Sequence, residues 1–331
     1  MQGVKLLVVG AAEVERLLPM PACIEAMDAV LGALARGEAL QPLRLMLRPE
    51  AAPGLMAVMP AWCGGTEPAF AVKVVGVFHG NAAHGLESHQ GAVMLFSGET
   101  GQPLAVLDAG AVTAVRTAAV SALATRLLAG PEAADLAILG SGVQAASHIE
   151  ALSCVRRLRR VRVASRDPER ARAFAARHAS LHEFPVEAAG SAELAVRGAD
   201  LVVTATSSAV PVLKRAWLSE GAHLNLVGAS LPDRREVDAA TVAAASLFVD
   251  RRESAESEAG DYLLALREGA IHEGHIRAEL GDVVVGRHPG RRSADEITLF
   301  KSLGLAVEDL AAAALVYRRA RAQGEGRWVE Q

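Results

Sequence analysis

The stretch ILGSGVQA at residues 138–145 decides the fold of the larger part of this chain. It has the form GxGxxA and joins a short apolar run to a segment of helical periodicity, Val143–Val155. In such a turn Gly140 permits the tight bend, Gly142 lets the backbone approach a pyrophosphate, and Ala145 lets the helix pack closely. The amides at the helix N-terminus then attract the anion. The alternative interpretation is an ordinary strand–helix turn.

Short apolar runs alternate with helical segments around this turn. The runs that predict strands are DLAILG, RVRVAS, DLVVTAT, HLNLVG and SLFVD, which begin at residues 135, 160, 200, 223 and 246. Such alternation is typical of parallel strands with helical crossovers. The sequence therefore predicts an α/β fold class with a Rossmann-type, doubly wound parallel sheet as the dinucleotide-binding domain, over residues 118–305.

Residues 1–117 have a different pattern. Cys23–Gly37 has helical periodicity, and PLRLMLRPEAAPGLMAVMP, which begins at Pro42, predicts two strands around a Pro/Gly turn. Further strands are predicted at Ala69–Phe78 and at Pro103–Leu107. This part should be a second, antiparallel α+β domain that binds substrate.

No segment rich in Pro, Gly or Ser separates the two predicted domains. The boundary should therefore fall inside the helix predicted at Val112–Leu128, near Ala118. A last helix, Ala306–Ala322, lies beyond the predicted parallel strands, so we expect residues 306–331 to join the first domain.

The residues after the second predicted strand of the parallel sheet discriminate between NAD and NADP. An acidic residue at this position binds the ribose 2′-hydroxyl of NAD, but the chain has Ser165 followed by Arg166. An arginine beside a small hydroxyl suits the extra phosphate of NADP. The sequence thus predicts NADP(H) in preference to NAD(H), the alternative being a solvated Arg166 with Asp167 on the ribose.

Composition excludes several classes of partner. With 38 acidic and 34 basic side chains the net charge is −4, which favours neither nucleic acid nor an anionic membrane. The sequence shows no stretch of about 20 apolar residues of the kind that spans a bilayer. Cys23, Cys63 and Cys154 form neither a disulfide framework nor a metal pattern. We expect a cytoplasmic protein without a metal that binds a small molecule.

Three cations stand in unusual surroundings. Lys73 interrupts the apolar run AFAVKVVGVF, Arg44 lies in PLRLMLR, and Arg116 lies in an otherwise apolar helix. A substrate carboxylate would satisfy such groups, and a desolvated lysine can also donate a proton. The alternatives are an edge strand whose lysine faces water, and internal salt bridges to Asp108 or Glu87.

Other polar residues are weaker candidates. His89, predicted to lie in a loop beside Ser88, is a candidate polar contact or proton relay. The acidic run Glu253–Asp261 predicts a solvated helix face, with Glu258 turned toward the site.

Seven strings in order along the chain resemble the ornithine cyclodeaminase and mu-crystallin family. They are VMPAW at 58–62, Lys73, SHQG at 88–91, AVRTAAVSA at 114–122, GSGVQA at 140–145, REVD at 235–238 and FKSLGLAVEDL at 300–310. The resemblance implies that Arg44, Lys73 and Arg116 hold a substrate carboxylate, and that the subunits pair as a homodimer through their first domains. The residues that it implies for the dinucleotide site, some of them singled out above, are Ser88, Arg116, Gly140, Gly142, Val143, Gln144, Ser165, Arg166, Thr206, Val227, Gly228 and Ser302.

Two departures from the family's cyclodeaminases bear on the reaction. Cyclodeaminases have a catalytic aspartate where this chain has Ser230, and they bind the distal amine through a carboxylate for which LMAVMP at 55–60 has no counterpart. At VGAS and LPD the chain is instead similar to ketimine and pyrroline-carboxylate reductases. The substrate contacts predicted by resemblance therefore include Ser230, together with His89 and Glu258.

The resemblance implies reduction of a cyclic imine 2-carboxylate by NADPH. The predicted substrates are 1-pyrroline-2-carboxylate and 1-piperideine-2-carboxylate, and the products are L-proline and L-pipecolate. The alternatives are an ornithine cyclodeaminase, an alanine dehydrogenase, or a non-enzymatic ligand-binding protein that contains NADPH, as in the crystallin branch.

Overall fold

A computed structural model describes residues 5–330, except for the side chains of His79 and Ala82. Residues up to Arg116, together with those from Gly304 onward, form one compact unit, and Thr117–Leu303 form a second. The first boundary lies within a continuous helix. Val4, at which the N-terminal apolar run of the sequence starts, lies outside the described residues.

Strands and helices are numbered here in chain order. The strands are β1 (Lys5–Val9), β2 (Ala39–Leu40), β3 (Leu45–Leu47), β4 (Leu55–Cys63), β5 (Ala69–Val77), β6 (His89–Ser97), β7 (Pro103–Asp108), β8 (Asp135–Leu139), β9 (Arg160–Ala164), β10 (Val186–Ala188), β11 (Leu201–Thr204), β12 (His223–Leu226), β13 (Ser246–Val249), β14 (Ile276–Glu279), β15 (Thr298–Lys301) and β16 (Arg327–Glu330). The helices are α1 (Ala11–Leu17), α2 (Met20–Arg36), α3 (Ala109–Leu128), α4 (Val143–Ser153), α5 (Pro168–Ala179), α6 (Ala192–Val196), α7 (Ala239–Ala244), α8 (Arg252–Glu258), α9 (Gly260–Arg267), α10 (Leu280–Val284) and α11 (Ala306–Gln323).

The first unit is built on a mixed sheet. Its order is β16-β1-β7-β6-β5-β4-β2, with β3 also paired to β4. The predicted antiparallel pairing is confirmed from β3 to β7, but β1 pairs in parallel with β7. The strands β2, β6 and β16 were not predicted. His89 begins β6, so its assignment to a loop is wrong, and the C-terminal segment ends in β16, which pairs with β1.

The register of this sheet gives its two faces different characters. Lys73 lies opposite Met59 and Val93 in the neighbouring strands, so the three side chains share one face. That face is buried and carries alanines such as Ala57 and Ala71 beside larger aliphatic side chains, and α11 packs against β4, β5 and β6 there. The opposite face exposes apolar side chains, among them Phe70 and Leu45.

The second unit is a parallel sheet with the order β10-β9-β8-β11-β12-β15-β13-β14. The five predicted strands are confirmed, and all ladders are parallel. The chain runs from β8 outward to β10 and then returns to β11 on the other side of β8. This reversal makes the carboxyl ends of β8 and β11 the switch point at which open α/β sheets bind ligands.

Helix α3 is a longer apolar segment than the sequence analysis predicted. Within residues 5–330 it is long and apolar enough for a membrane span, and the bent pair α1–α2 passes the same test if counted as one. The prediction that no stretch reaches this length is therefore wrong. However, 72% of the apolar window in α3 is buried, as in the core helix of a globular protein.

Two buried histidines couple the second unit to pH. His148 on α4 contacts the Gln144 carbonyl through Nδ1 at 2.6 Å and the Ser121 hydroxyl through Nε2 at 2.9 Å. His223 on β12 contacts the Thr298 hydroxyl at 2.9 Å. Burial lowers the pKa of His148 to about 4 and that of His223 to about 3. Both imidazoles are therefore neutral in the folded protein down to acid pH.

We expect this arrangement to make the fold sensitive to acid. The unfolded chain binds protons below a pH of about 6.5 while the folded histidines do not, so stability is lost as the pH falls from there toward 4. The loss at pH 5 is about 2 kcal/mol for each histidine. Urea unfolding at pH 7 and pH 5 measures this effect. Between these two pH values, His148→Asn should lose about 2 kcal/mol less unfolding free energy than the wild type loses. The exposed His84→Gln is the control, and an equal pH dependence in all three proteins would contradict the prediction.

Candidate active site

The turn between β8 and α4 depends on two glycines for different reasons. Gly140 has a φ of 122°, and a Cβ there would lie 2.4 Å from the Ala205 carbonyl oxygen. Gly142 is the N-cap of α4, and a Cβ there would meet nothing within 4 Å. Ala145 is fully buried where α4 packs against the sheet. Hence Gly140 serves the fold, whereas Gly142 leaves open space at the helix N-terminus, beside Val143 and Gln144.

The end of β9 lies next to this turn. The hydroxyl of Ser141 donates to that of Ser165 at 3.2 Å, and Arg166 is exposed. The carboxylate of Asp167 caps α5 by accepting from the amides of Glu169 at 3.0 Å and Arg170 at 3.4 Å. Asp167 therefore already has partners in its own helix.

The carboxyl ends of β11, β12 and β15 carry the other residues implied for the dinucleotide. Thr206 is half-buried after β11, Val227 and Gly228 follow β12, and Ser302 follows β15. Within residues 5–330, the buried Ser302 hydroxyl has no hydrogen-bond partner. An orphaned hydroxyl and the open N-terminus of α4 are both features that fit a bound dinucleotide.

Sequence reasoning missed Glu236. The REVD string was quoted for the resemblance, but no role was given to its carboxylate, which contacts both Thr206 and Gly228. Burial raises the pKa of Glu236, and the nearby carboxylate of Asp261 adds to this effect. In the sequence Glu236 lies in the polar segment PDRREVD at 232–238, which gives no sign that this glutamate is buried.

In the first unit, Lys73 and Arg116 are buried together with two carboxylates. Lys73 Nζ lies 2.6 Å from Asp309 Oδ2. Arg116 Nη1 lies 2.8 Å from Glu308 Oε2, and its Nε lies 2.9 Å from Asp309 Oδ1. Since Lys73 is only 3% exposed and lies on an interior strand, the alternative of a lysine that faces water is wrong.

These carboxylates come from the first turn and a half of α11, not from Asp108 or Glu87 as the sequence suggested. The Asp108 carboxylate instead accepts from the Ala111 amide at 2.8 Å, at the start of α3. Glu308 also accepts from the Leu305 amide at 3.2 Å. Acidic side chains near a helix N-terminus are stabilised by the helix dipole, which favours their charged forms.

Burial and neighbouring charges set the ionisation of Lys73 and Asp309. Burial alone would raise the pKa of Asp309, but the charges of Lys73 and Arg116 outweigh it and hold the pKa below its usual value. Burial lowers the pKa of Lys73 to about 8, with Asp309 opposing the shift. Both groups are therefore charged at neutral pH.

Arg44 and Arg116 meet at Gly304. Arg44 is half-buried and donates from Nη2 to the Gly304 carbonyl at 3.0 Å. A Cβ at Gly304 would lie 2.6 Å from Arg116 Nη1, so only glycine lets this guanidinium lie against the backbone. The structure thus brings together the three cations that the sequence singled out.

The remaining candidates lie elsewhere. The Ser88 hydroxyl and His89 Nδ1 are 3.0 Å apart at the exposed start of β6, four residues along the strand from the position opposite Lys73. Ser230 is half-buried after β12. In the acidic run, Glu253 and Glu256 are exposed and Glu258 is buried, as predicted, whereas Asp261 is also buried and pairs with Lys301 at 3.2 Å. Residues 5–330 contain no cluster of His, Cys, Asp or Glu that could hold a metal.

The parallel doubly wound sheet with its glycine-rich turn defines a dinucleotide-binding class of protein, here with a separate unit that contains a buried cation cluster. The chain belongs to the ornithine cyclodeaminase/mu-crystallin family, whose family model matches residues 4–324.

Three similar proteins illustrate the range of this family. The ketimine reductase mu-crystallin of Mus musculus is 42% identical over 297 residues, which cover 89% of this chain and 90% of that protein. The Delta(1)-pyrroline-2-carboxylate reductase of Thermococcus litoralis in complex with NADH and L-proline is 36% identical, with a TM-score of 0.94 over 97% of this chain and 99% of that one. An archaeal alanine dehydrogenase dimer with bound NAD is 32% identical, with a TM-score of 0.92 over 98% and 99%.

The two glycines of the turn permit a matched test. Gly142→Ala places a methyl group in open space, so we expect unfolding free energy within about 0.5 kcal/mol of the wild type, but at least about tenfold weaker NADPH binding because the pyrophosphate is kept away. Gly140→Ala should lower the unfolding free energy by about 1–3 kcal/mol because of its backbone conformation and the contact with Ala205. Urea unfolding and NADPH fluorescence titration measure both effects. Unchanged NADPH affinity in Gly142→Ala would place the dinucleotide elsewhere.

Proposed function

We propose that this protein reduces a cyclic imine 2-carboxylate with a nicotinamide dinucleotide. The substrates are 1-pyrroline-2-carboxylate or 1-piperideine-2-carboxylate, which become L-proline or L-pipecolate. The observation that carries the proposal is the cluster of Arg44, Lys73 and Arg116, which brings a half-buried guanidinium together with two buried cations, as the binding of a substrate carboxylate requires. The reductases and the ketimine reductase to which the chain is similar support the same reaction.

The dinucleotide supplies the hydride when it is bound, and the protein must orient the imine to receive it. Arg44 is the most exposed of the three cations, and its guanidinium is the natural first contact for the carboxylate. Arg116 is held by two carboxylates, so its position is set before any ligand binds. A preorganised set of cations lowers the entropic cost of fixing the substrate.

Reduction at carbon also requires a proton at the imine nitrogen. Lys73 has a pKa of about 8, which lies near neutral pH and therefore suits a proton donor. Its ion pair with Asp309 keeps the ammonium group in place. A cyclic imine that is already protonated needs no proton donor. In that case Lys73 contributes only by binding the substrate carboxylate.

Two positions speak against the cyclodeaminase alternative. Ser230 has no carboxylate to act as a base, and β4, Leu55–Cys63, has none to bind a distal amine. Amine release from ornithine with ring closure therefore lacks both groups. The panel of substrates in the kinetic test below covers this alternative and the alanine dehydrogenase.

Kinetics of wild type and Arg44→Ala test the proposed function. We expect NADPH oxidation with one or both cyclic imines, and we expect at least a tenfold loss of kcat/KM for the imine in Arg44→Ala, because a charge-assisted contact to the carboxylate is lost. Arg48→Ala, at an exposed arginine beyond β3, is the control and should keep wild-type kinetics. The panel also contains pyruvate with ammonia, and ornithine with NAD. NADPH binding without oxidation by either imine would favour the non-enzymatic alternative.

We propose that NADP(H) is preferred over NAD(H). Arg166 is exposed at the end of β9, and Asp167, the alternative ribose ligand, is used as the cap of α5. The similar structures with NADH or NAD make this preference a property to be measured in this chain.

Arg166→Ala tests the preference directly. The variant should lose about tenfold in kcat/KM for NADPH, which is the scale of one charge-assisted hydrogen bond, and should keep the wild-type value for NADH. Arg170 is an exposed arginine in the first turn of α5, and Arg170→Ala is the matched control. Equal losses with both dinucleotides would assign Arg166 no part in recognising the 2′-phosphate.

Pairing of two subunits as a homodimer stays a prediction, and one feature of the first unit supports it. The face of the first sheet opposite α11 exposes apolar side chains, including Leu45, Met56 and Phe70, which is typical of a surface covered by another subunit. The molar mass from light scattering decides the point. The cytoplasmic location also stays a prediction.

A further inference from the structure

One fully buried carboxylate in the second unit accepts four hydrogen bonds. Oε1 of Glu236 accepts from the amide and the hydroxyl of Thr206, both at 2.7 Å. Oε2 accepts from the hydroxyl of Thr204 at 2.8 Å and from the amide of Gly228 at 2.7 Å. Each carboxylate oxygen therefore holds one backbone N–H group and one hydroxyl.

These contacts join the ends of two neighbouring strands. β11 and β12 pair in parallel, and Thr206 and Gly228 each lie two residues beyond the end of their strand. A Cβ at Gly228 would lie 2.1 Å from the Thr206 carbonyl oxygen, so the two segments are in backbone contact. Glu236 thus fixes the conformation of both segments at the carboxyl edge of the sheet, where ligands of such sheets bind.

Glu236 is itself held in place by a second buried network. Its amide donates to Asp261 Oδ1 at 2.8 Å, and Asp261 Oδ2 lies 3.2 Å from Lys301 Nζ. Lys301 ends β15, which pairs in parallel with β12, and Ser302 follows it. The ends of three adjacent strands are therefore connected through buried charged groups.

We propose that Glu236 is a positioning residue for the nicotinamide half of the dinucleotide, acting through Thr206 and Gly228. This inference rests on the proposed function. A dinucleotide that crosses the switch point of a doubly wound sheet places its two halves on opposite sides of that point. The adenosine half belongs to the side of Gly142 and Ser165, and the nicotinamide half belongs to the side of β11 and β12, which Glu236 organises.

The carboxylate cannot be replaced by its amide without loss. Both oxygens accept from a backbone N–H group, and a backbone donor cannot turn around to become an acceptor. In Glu236→Gln the side-chain NH₂ therefore faces either the Thr206 amide or the Gly228 amide, whichever way the amide is turned. One strand end is released in each case.

The experiment compares two ligands on wild type and Glu236→Gln. NADPH contains both halves of the dinucleotide, whereas ADP contains only the adenosine half with a pyrophosphate. We expect the Kd for NADPH to rise at least about tenfold in Glu236→Gln, the scale of losing a charge-assisted contact, and the Kd for ADP to stay within about twofold. In steady state the KM for NADPH should rise while the KM for the imine stays unchanged. Equal weakening of both ligands, in step with a lowered melting temperature, would show a merely structural role and overturn the proposal.

Asp135→Asn is the matched control. Asp135 is a buried carboxylate of the same sheet, but it begins β8 at the opposite, amino edge and pairs with Arg159 and Arg160. Its replacement should lower the melting temperature and leave the Kd values for NADPH and ADP unchanged. A selective loss of NADPH binding in Asp135→Asn would contradict the assignment to Glu236.

Glu236→Asp covers the case in which Glu236→Gln does not fold. Aspartate keeps both acceptor oxygens on a shorter side chain, so NADPH binding should be intermediate and ADP binding should equal that of the wild type. Wild-type affinity for NADPH in Glu236→Asp and Glu236→Gln would overturn the inference while imine reduction stands. Wild-type protein that binds NADPH but reduces no imine would instead overturn the proposed function alone.

Discussion

Asp309 contacts both Lys73 and Arg116, and through them one carboxylate connects a sheet strand, the long helix α3 and the C-terminal helix α11. The groups come from distant parts of the chain, since Arg116 and Asp309 are 193 residues apart. All of them are buried, so each charge depends on the others for its solvation. Removing one partner of a buried ion pair typically costs about 3–5 kcal/mol because it leaves an unpaired charge in the interior. The first unit therefore cannot pack α11 on its sheet without completing this cluster.

The same constraint gives the cluster its chemical character. Two carboxylates pair with the buried Lys73 and Arg116, so these two cations are held in place without a ligand. The lowered pKa of Lys73, about 8, records the competition between burial, which disfavours the ammonium, and Asp309, which favours it. A site of this kind is rigid before the substrate arrives, which is how positioning contributes to catalysis.

The second unit repeats the principle with a different chemistry. Glu236 lies after the strands whose ends it organises, just as Asp309 lies after the strand that carries Lys73. In both units a later segment delivers a buried carboxylate to groups placed by earlier ones. The difference is in the partners, because the carboxylate pairs with cations in the first unit and accepts from backbone amides and hydroxyls in the second.

The local sequence pattern predicted the features that local geometry controls. These are the turn at Gly140 and Gly142, the alternation of strands and helices around it, and the position of Lys73 in a strand. The pattern was insufficient for β10, β14, β15 and β16, because three or four residues that include a charged side chain form no continuous apolar run. It also missed the longer β6, which begins with the polar residues His89 and Gln90. The partners of Lys73, Arg116 and Thr206 were also out of reach, since contacts between residues 30 to more than 190 positions apart are set by packing. The residue order thus determined which groups carry charge and where the backbone bends. Only the tertiary structure decided which charges meet, because that depends on how the helices seat on the two sheets.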